Sequence, residues 1–132
     1  MKNLILLLFG FMFSLFGFSQ IEEGTKWTLQ KHGETIMKFE FIPSNSLTSK
    51  VKVTMNGEST ICFWKRDGIT LDIWEQKGNY TINKKSFYLR EVSSTKFFVF
   101  GVKEYSDDYG LKPIKGNYKN LEGKGIYFIK YN

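Results

Sequence analysis

The clearest structural pattern in this sequence is the stretch Leu47-Thr48-Ser49-Lys50-Val51-Lys52-Val53-Thr54-Met55-Asn56-Gly57. Alternate residues from Leu47 to Met55 fall on one face of an extended chain, while the threonines and lysines between them fall on the other. A period of two is typical of a β-strand with one face toward a core and one toward water. Asn56-Gly57 accommodates the positive φ angles of a type I′ turn. The stretch therefore predicts a strand that ends in a tight hairpin.

Turn signals recur along the rest of the chain at intervals of about ten residues, the spacing of short strands joined by hairpins. A parallel pair of strands needs a crossover of roughly a dozen residues or more, so these short connections join antiparallel neighbours. In chain order the predicted strands are Thr25–Lys31, Thr35–Ile42, Leu47–Met55, Ser59–Lys65, Ile69–Gln76, Tyr80–Asn83, Phe87–Val92, Lys96–Lys103, Pro113–Lys119 and Lys124–Tyr131.

The composition also favours an all-β protein. The chain contains no alanine, the best helix former, whereas aromatic residues make up 17% of it. An open sheet of many short strands would leave edges that invite aggregation, and closing the sheet removes them. The sequence therefore predicts a small antiparallel up-and-down meander barrel or half-barrel, with a two-sheet β-sandwich as the alternative.

The first residues have the features of an export signal. Lys2 supplies a positive charge, the run from Leu4 to Phe13 is apolar except for Gly10, and Gly17 and Ser19 fit a cleavage site. The apolar stretch is shorter than the ~20 residues that span a membrane. We therefore expect a signal peptide over 1–19, a single domain over 20–132, no transmembrane anchor after cleavage, and export to the periplasm or the extracellular space.

Cysteine usage and charge exclude several classes of protein. Cys62 is the only cysteine, so no intramolecular disulfide forms, and its apolar surroundings predict a small buried hydrophobe. The net charge of +6 comes almost entirely from lysines dispersed along the chain, with arginine only at positions 66 and 90. Because arginine is the residue that reads phosphate and base edges best, we expect no nucleic-acid partner.

Motifs for catalysis or metal binding are sparse. His32 is the only histidine, and it lies beside Gly33 in a predicted turn, so the sequence cannot supply a histidine-rich metal site or a serine triad. The acidic loop around Asp107-Asp108 matches no strong calcium motif. We therefore predict no cofactor and no metal, and we keep a carboxylate-based hydrolase as an alternative function.

Large aromatic side chains are the best candidates for a binding site. In a barrel of this size they either fill the interior or line a cup for a ligand. The candidate ligand-binding residues are Trp27, Phe39, Phe41, Trp64, Trp74, Tyr88, Phe98 and Phe100. Trp27 lies on the first predicted strand, so closure would place it near the last strand, where it would plug one end of the interior.

Two segments, Phe97–Phe100 and Ile126–Ile129, carry apolar side chains at successive positions. A strand of this kind is covered on both faces, or one of its faces is a binding surface. The second possibility leads to an alternative function, a protein-interaction domain such as an inhibitor, an adhesion protein or an envelope-assembly subunit.

The layout resembles small exported bacterial proteins of the lipocalin-like, or calycin-like, kind. The resemblance rests on Trp27 in the first strand, on Phe39 and Phe41 in the second, and on the closing segments Lys115–Tyr118 and Gly123–Phe128. It implies a barrel whose interior holds an apolar ligand or whose mouth contacts a partner. The leading expectation is thus an exported, non-enzymatic binding module for a small apolar or amphipathic ligand.

Overall fold

The computed structural model describes residues 21–43, 49–105 and 116–132, and all regular structure within these ranges is β-strand. The strands are β1 (Lys26–Lys31), β2 (Glu34–Ile42), β3 (Lys50–Met55), β4 (Glu58–Asp67), β5 (Thr70–Lys77), β6 (Tyr80–Ser93), β7 (Lys96–Tyr105), β8 (Gly116–Asn120) and β9 (Ile126–Tyr131). The predicted signal peptide over 1–19 and the Asp107-Asp108 loop lie outside the described residues, as do Leu47 and Pro113. Among the residues that are described, no helix is long and apolar enough to cross a membrane.

The strands form one closed antiparallel barrel. β1 to β7 pair in chain order, β7 pairs with β9, and β9 pairs with β1, which closes a ring of eight strands. β8 is an additional strand that pairs with Gly101–Tyr105 of β7, on the same side of β7 as β9. The prediction of an all-β, up-and-down antiparallel barrel is confirmed, and closure excludes the two-sheet alternative.

Short turns with left-handed backbone conformations join neighbouring strands. Asn56 and Gly57 have φ angles of 53° and 79°, and His32 and Gly33 have φ angles of 51° and 82°. Two successive positive φ angles define the type I′ turn, whose twist matches that of the flanking strands. The hairpin predicted at Asn56-Gly57 is therefore confirmed.

The prediction of separate strands at Tyr80–Asn83 and Phe87–Val92 is wrong. They belong to one strand, β6, and the lysines between them continue it. Asn83 has a φ angle of 52°, and the register of β5 with β6 shifts between Ile73 and Glu75. A β-bulge thus accommodates the extra residue inside the ladder, where the sequence suggested a turn.

One end of the barrel is closed by large side chains, and we call it the closed end. Trp27 is fully buried, lies opposite Lys130 of β9, and has its ring centroid 5.4 Å from that of Phe97. The guanidinium carbon of Arg66, near the end of β4, lies over the Phe97 ring at 5.0 Å from its centroid. The prediction that Trp27 lies near the last strand and fills one end of the interior is confirmed.

Candidate functional site

A cavity of about 380 Å³ lies at the opposite end of the barrel, which we call the cup. Its size falls within the ~300–1,000 Å³ of small-molecule sites. It is formed by the ends of β2 to β7 that carry the β3–β4 and β5–β6 hairpins. Its lining residues are Met37, Phe39, Val53, Met55, Glu58, Thr60, Cys62, Ile73, Glu75, Asn83, Lys84, Lys85, Phe87, Glu104 and Tyr105.

The floor of the cup is apolar and belongs to the core of the barrel. Phe39 and Phe87 meet edge to face with ring centroids 6.2 Å apart, and Val53, Ile73 and Cys62 are buried around them. Each of these residues lies on a different strand, and its burial shows that its side chain points to the inner face of that strand. The floor is suited to an alkyl chain or a ring, because an apolar group that leaves water for such a surface is stabilised.

The thiol of Cys62 is held in its neutral form. Burial, and secondarily the negative charge of Glu75, raise its pKa from the ordinary 9.0 to about 11. The thiolate is the nucleophilic and metal-binding form of cysteine, and this environment disfavours it. The burial of Cys62 confirms the expectation of a small buried hydrophobe. The structure also shows that Cys62 lies at the floor of the cup.

The rim of the cup carries charges of both signs. Glu58, Glu75 and Glu104 line it together with Lys84 and Lys85. The Asn83 side chain donates a hydrogen bond from Nδ2 to Glu75 Oε2 at 2.6 Å, which fixes the carboxylate of Glu75 at the bulge of β6. The cup thus combines an apolar floor with a charged rim.

The eight aromatic candidates separate into two groups. The first group points into the barrel. Phe39 lines the cup, whereas the other three lie toward the closed end: Trp27, Phe41 and Trp64. There the ring centroids of Phe41 and Trp64 are 4.9 Å apart. The remaining four residues, Trp74, Tyr88, Phe98 and Phe100, point away from the interior. The structure therefore does not bring the predicted residues together in a single site.

Sequence reasoning missed most of the cup. Ile73 and Glu75 alternate with Trp74, so the strand period alone would have placed them on one face with the buried Leu71. Choosing residues by aromatic size instead favoured Trp74, whose ring stacks on Phe63 outside the barrel at 6.2 Å. The choice of candidates therefore failed because it considered the type of each residue and not whether its side chain points into or out of the barrel.

A second group of aromatic side chains covers the outside of β6 to β9, and we call it the outer patch. It consists of Tyr88, Phe98, Phe100, Tyr118 and Tyr127, with Arg90 and Lys96 beside them. The Arg90 guanidinium carbon lies 5.1 Å from the Phe100 ring centroid, and Lys96 Nζ lies 4.2 Å from that of Tyr127. Phe97–Phe100 thus carries aromatic side chains on both faces, as the sequence suggested, and Tyr118 at the edge is 49% exposed.

Within the described ranges, no three histidine, cysteine, aspartate or glutamate side chains are placed so that they could hold a metal ion. Comparison with known proteins found no matching family model, no matching curated protein and no matching solved structure. The fold and the site define a closed eight-stranded antiparallel barrel with a cup at one end. This architecture agrees with that of lipocalin-like proteins at the level of the coarse fold.

Proposed function

We propose that this protein is an exported binding module that takes a small amphipathic ligand into the cup. The observation that carries the proposal is the cavity of about 380 Å³, which has buried apolar residues at its floor and charged residues at its rim. A barrel interior filled to the rim would offer no such space. The barrel architecture supports grouping the chain with lipocalin-like proteins, for which the resemblance implies an apolar ligand in the interior.

The neutral fluorescent dye N-phenylnaphthylamine provides a direct test of the cup, because its emission rises when it leaves water. We expect saturable binding to the native protein. Thr60 lines the cup from an exposed position, so Thr60→Trp should place an indole ring in the cavity and abolish dye binding. The control is Ser59→Trp on the outer face of the same strand, which should bind dye normally. Equal binding by both variants would show that the dye lies elsewhere.

Export is the second part of the proposal, and it rests on the charged start, the apolar run and the small residues at Gly17 and Ser19. We expect the exported protein to begin at Gln20. Intact-mass measurement on protein recovered from outside the cytoplasm of its host tests this expectation. Retention of residues 1–19 would contradict both the cleavage site and the assignment of these residues to a signal peptide.

The outer patch supports a second candidate function, a protein-interaction domain. Contiguous aromatic surface of this kind is typical of interaction sites. Native mass spectrometry of protein purified from its host distinguishes the two candidates. Added mass of a small molecule that is lost in Thr60→Trp supports the cup, whereas a second polypeptide that is lost in Tyr118→Lys supports the outer patch.

A further inference from the structure

The cup differs from the rest of the chain in its balance of charges. Lysine and arginine outnumber aspartate and glutamate by 19 to 13 in the whole sequence. Among the residues that line the cup the order is reversed, with three glutamates and two lysines. The acidic side chains therefore gather where a ligand would enter, although the protein as a whole is basic.

The two lysines are each matched by a nearby group. Lys84 Nζ lies 4.7 Å from the centroid of the Tyr105 ring, in a position to interact with its π-electrons. Lys85 lies directly opposite Glu104 in the pairing of β6 with β7, so these opposite charges face the same side of the sheet. Lys84 keeps its positive charge, because the tyrosine ring is neutral, so the three glutamates and two lysines of the rim sum to one negative charge.

Glu75 projects this negative charge into the cup. Its carboxylate is half-buried and is oriented by the hydrogen bond from Asn83. It lies near the floor, where burial raises the pKa of the Cys62 thiol and the negative charge of Glu75 raises it further. In a cavity that is partly shielded from water, a fixed charge attracts an opposite charge more strongly than at an open surface. A cation above the apolar floor is favoured there, and an anion is disfavoured.

We propose that the cup is selective for amphiphiles with a cationic head group, with the protonated amine at the carboxylate of Glu75 and the apolar part against Phe39, Phe87 and Ile73. Glu58 adds negative charge further up the rim, beside the β3–β4 hairpin. This inference rests on the proposed function, because it names the class of ligand that the same cup would take. The apolar floor supplies affinity, and the carboxylates supply the choice between head groups.

Displacement of N-phenylnaphthylamine by decylamine, decanol and decanoate tests the inference, because the three competitors share one alkyl chain and differ in head-group charge. We expect decylamine to displace the dye at concentrations on the order of tenfold lower than decanol, the size of effect expected for a charge-assisted contact. Decanoate should be the weakest competitor. The advantage of decylamine over decanol should shrink as salt is added, because salt screens partly exposed charges.

Charge-neutralising variants locate the effect. Glu75→Gln and Glu58→Gln should each reduce the preference for decylamine over decanol while leaving the affinity for decanol within about twofold, since the floor is unchanged. Lys85→Gln should increase the preference. The control is Glu40→Gln, because Glu40 lies on β2 between the inward-facing Phe39 and Phe41, so its side chain points outward, and it should have no effect.

The outcomes separate the two proposals. If neither the dye nor decanol binds the native protein, the binding function itself is wrong and the inference is overturned with it. If the dye and decanol bind but decylamine is no better than decanol, the cup is a binding site without cation selectivity. A preference for decylamine that is as large in Glu75→Gln and Glu58→Gln as in the native protein would also overturn the inference.

Discussion

Trp27 shows how much of the barrel's stability depends on single side chains. Its ring is fully buried at the closed end, beside Phe97, and its Nε1 donates a hydrogen bond to Thr25 Oγ1 at 3.1 Å. The indole therefore has both an apolar environment and a partner for its polar atom. This is the combination that makes a buried tryptophan stabilising.

Replacement of Trp27 by alanine should lower the free energy of unfolding by about 3–5 kcal/mol, the usual cost of emptying a large aromatic site. Since small domains have only about 5–15 kcal/mol in total, the variant should be largely unfolded at moderate denaturant. Denaturation followed by circular dichroism measures the loss. Trp74→Ala, which removes a half-buried ring from the outer face, should cost about 1 kcal/mol and serves as the control. Equal losses would contradict the assignment of Trp27 to the core.

The raised pKa of Cys62 predicts that the stability of the protein depends on pH in the alkaline range. Its pKa is about 11 in the folded protein against an ordinary 9.0, so the folded state holds the thiol proton more tightly than the unfolded chain does. The stabilisation from this proton is complete below the ordinary pKa and is lost as pH rises from about 9 through about 11. Over that range we expect the free energy of unfolding of the native protein to fall relative to that of Cys62→Ala. Comparison with the variant cancels the other titrating groups, and a constant difference would contradict the burial of the thiol.

At the scale of the strand, β7 has a bulge that shapes the outer patch. The register of β6 with β7 shifts between Tyr88 and Leu89, so Phe100 and Gly101 both lie outside the regular alternation. A Cβ atom on Gly101 would overlap the ring of Tyr118, which lies across it from β8. Tyr118 in turn meets Tyr88 edge to face with ring centroids 5.3 Å apart. Because Gly101 has no Cβ atom, the Tyr118 ring of β8 can lie over it and form part of the outer patch.

Gly101→Ala should displace Tyr118 rather than the backbone, because an exposed ring can move. The expected loss of stability is about 0.5–1.5 kcal/mol, the contribution of one aromatic pair. Tyr118→Ala should cost a similar amount, and the double variant should cost little more than either single one, because both remove the same contact. Unfolding curves of the four proteins measure the coupling. Additive losses would show that Gly101 is required for another reason.

For the whole molecule, closure depends on β9. This strand pairs with β1 along its full length and with β7 through Tyr127 to Ile129. β8, by contrast, pairs with β7 alone, so among the described strands it is the one with a free edge. Antiparallel closure removes the edges that an open sheet would expose, and it brings residues from the two ends of the domain into one ladder.

Proline at position 129 should therefore prevent cooperative folding. Proline cannot donate a backbone hydrogen bond, and in a strand paired on both sides any lost donor breaks the ladder. Lys119→Pro in β8 is the matched control and should reduce stability much less, because proline is tolerated on edge strands. Thermal unfolding followed by circular dichroism compares the two. A cooperative transition in Ile129→Pro equal to that of Lys119→Pro would show that β9 does not close the barrel.

The sequence by itself determined the all-β class, most of the strands and the hairpin at Asn56-Gly57. These features depend on interactions between near neighbours in the chain. Alternation from Val51 to Met55 defines a strand face without reference to the rest of the protein, and an Asn-Gly pair adopts positive φ angles for local steric reasons. The order of β1 to β7 followed as well, because short connections permit only antiparallel neighbours, whereas the pairing of β7 with β9 past β8 did not follow from it.

The tertiary structure alone decided which residues form the cup. Phe97–Phe100 is apolar on both faces, so only closure of the sheet shows that Phe97 points inward and Phe98 outward. The bulge at Asn83 could not be predicted from the sequence either, because a residue with a left-handed backbone conformation is found both in bulges and in turns. The cup brings Cys62 of β4 beside Glu75 of β5 and Phe87 of β6, and the space between them exists because large rings fill the closed end and smaller or charged side chains occupy the other. Such a distribution of volume depends on the register of all eight strands in the ring, and no single segment contains it.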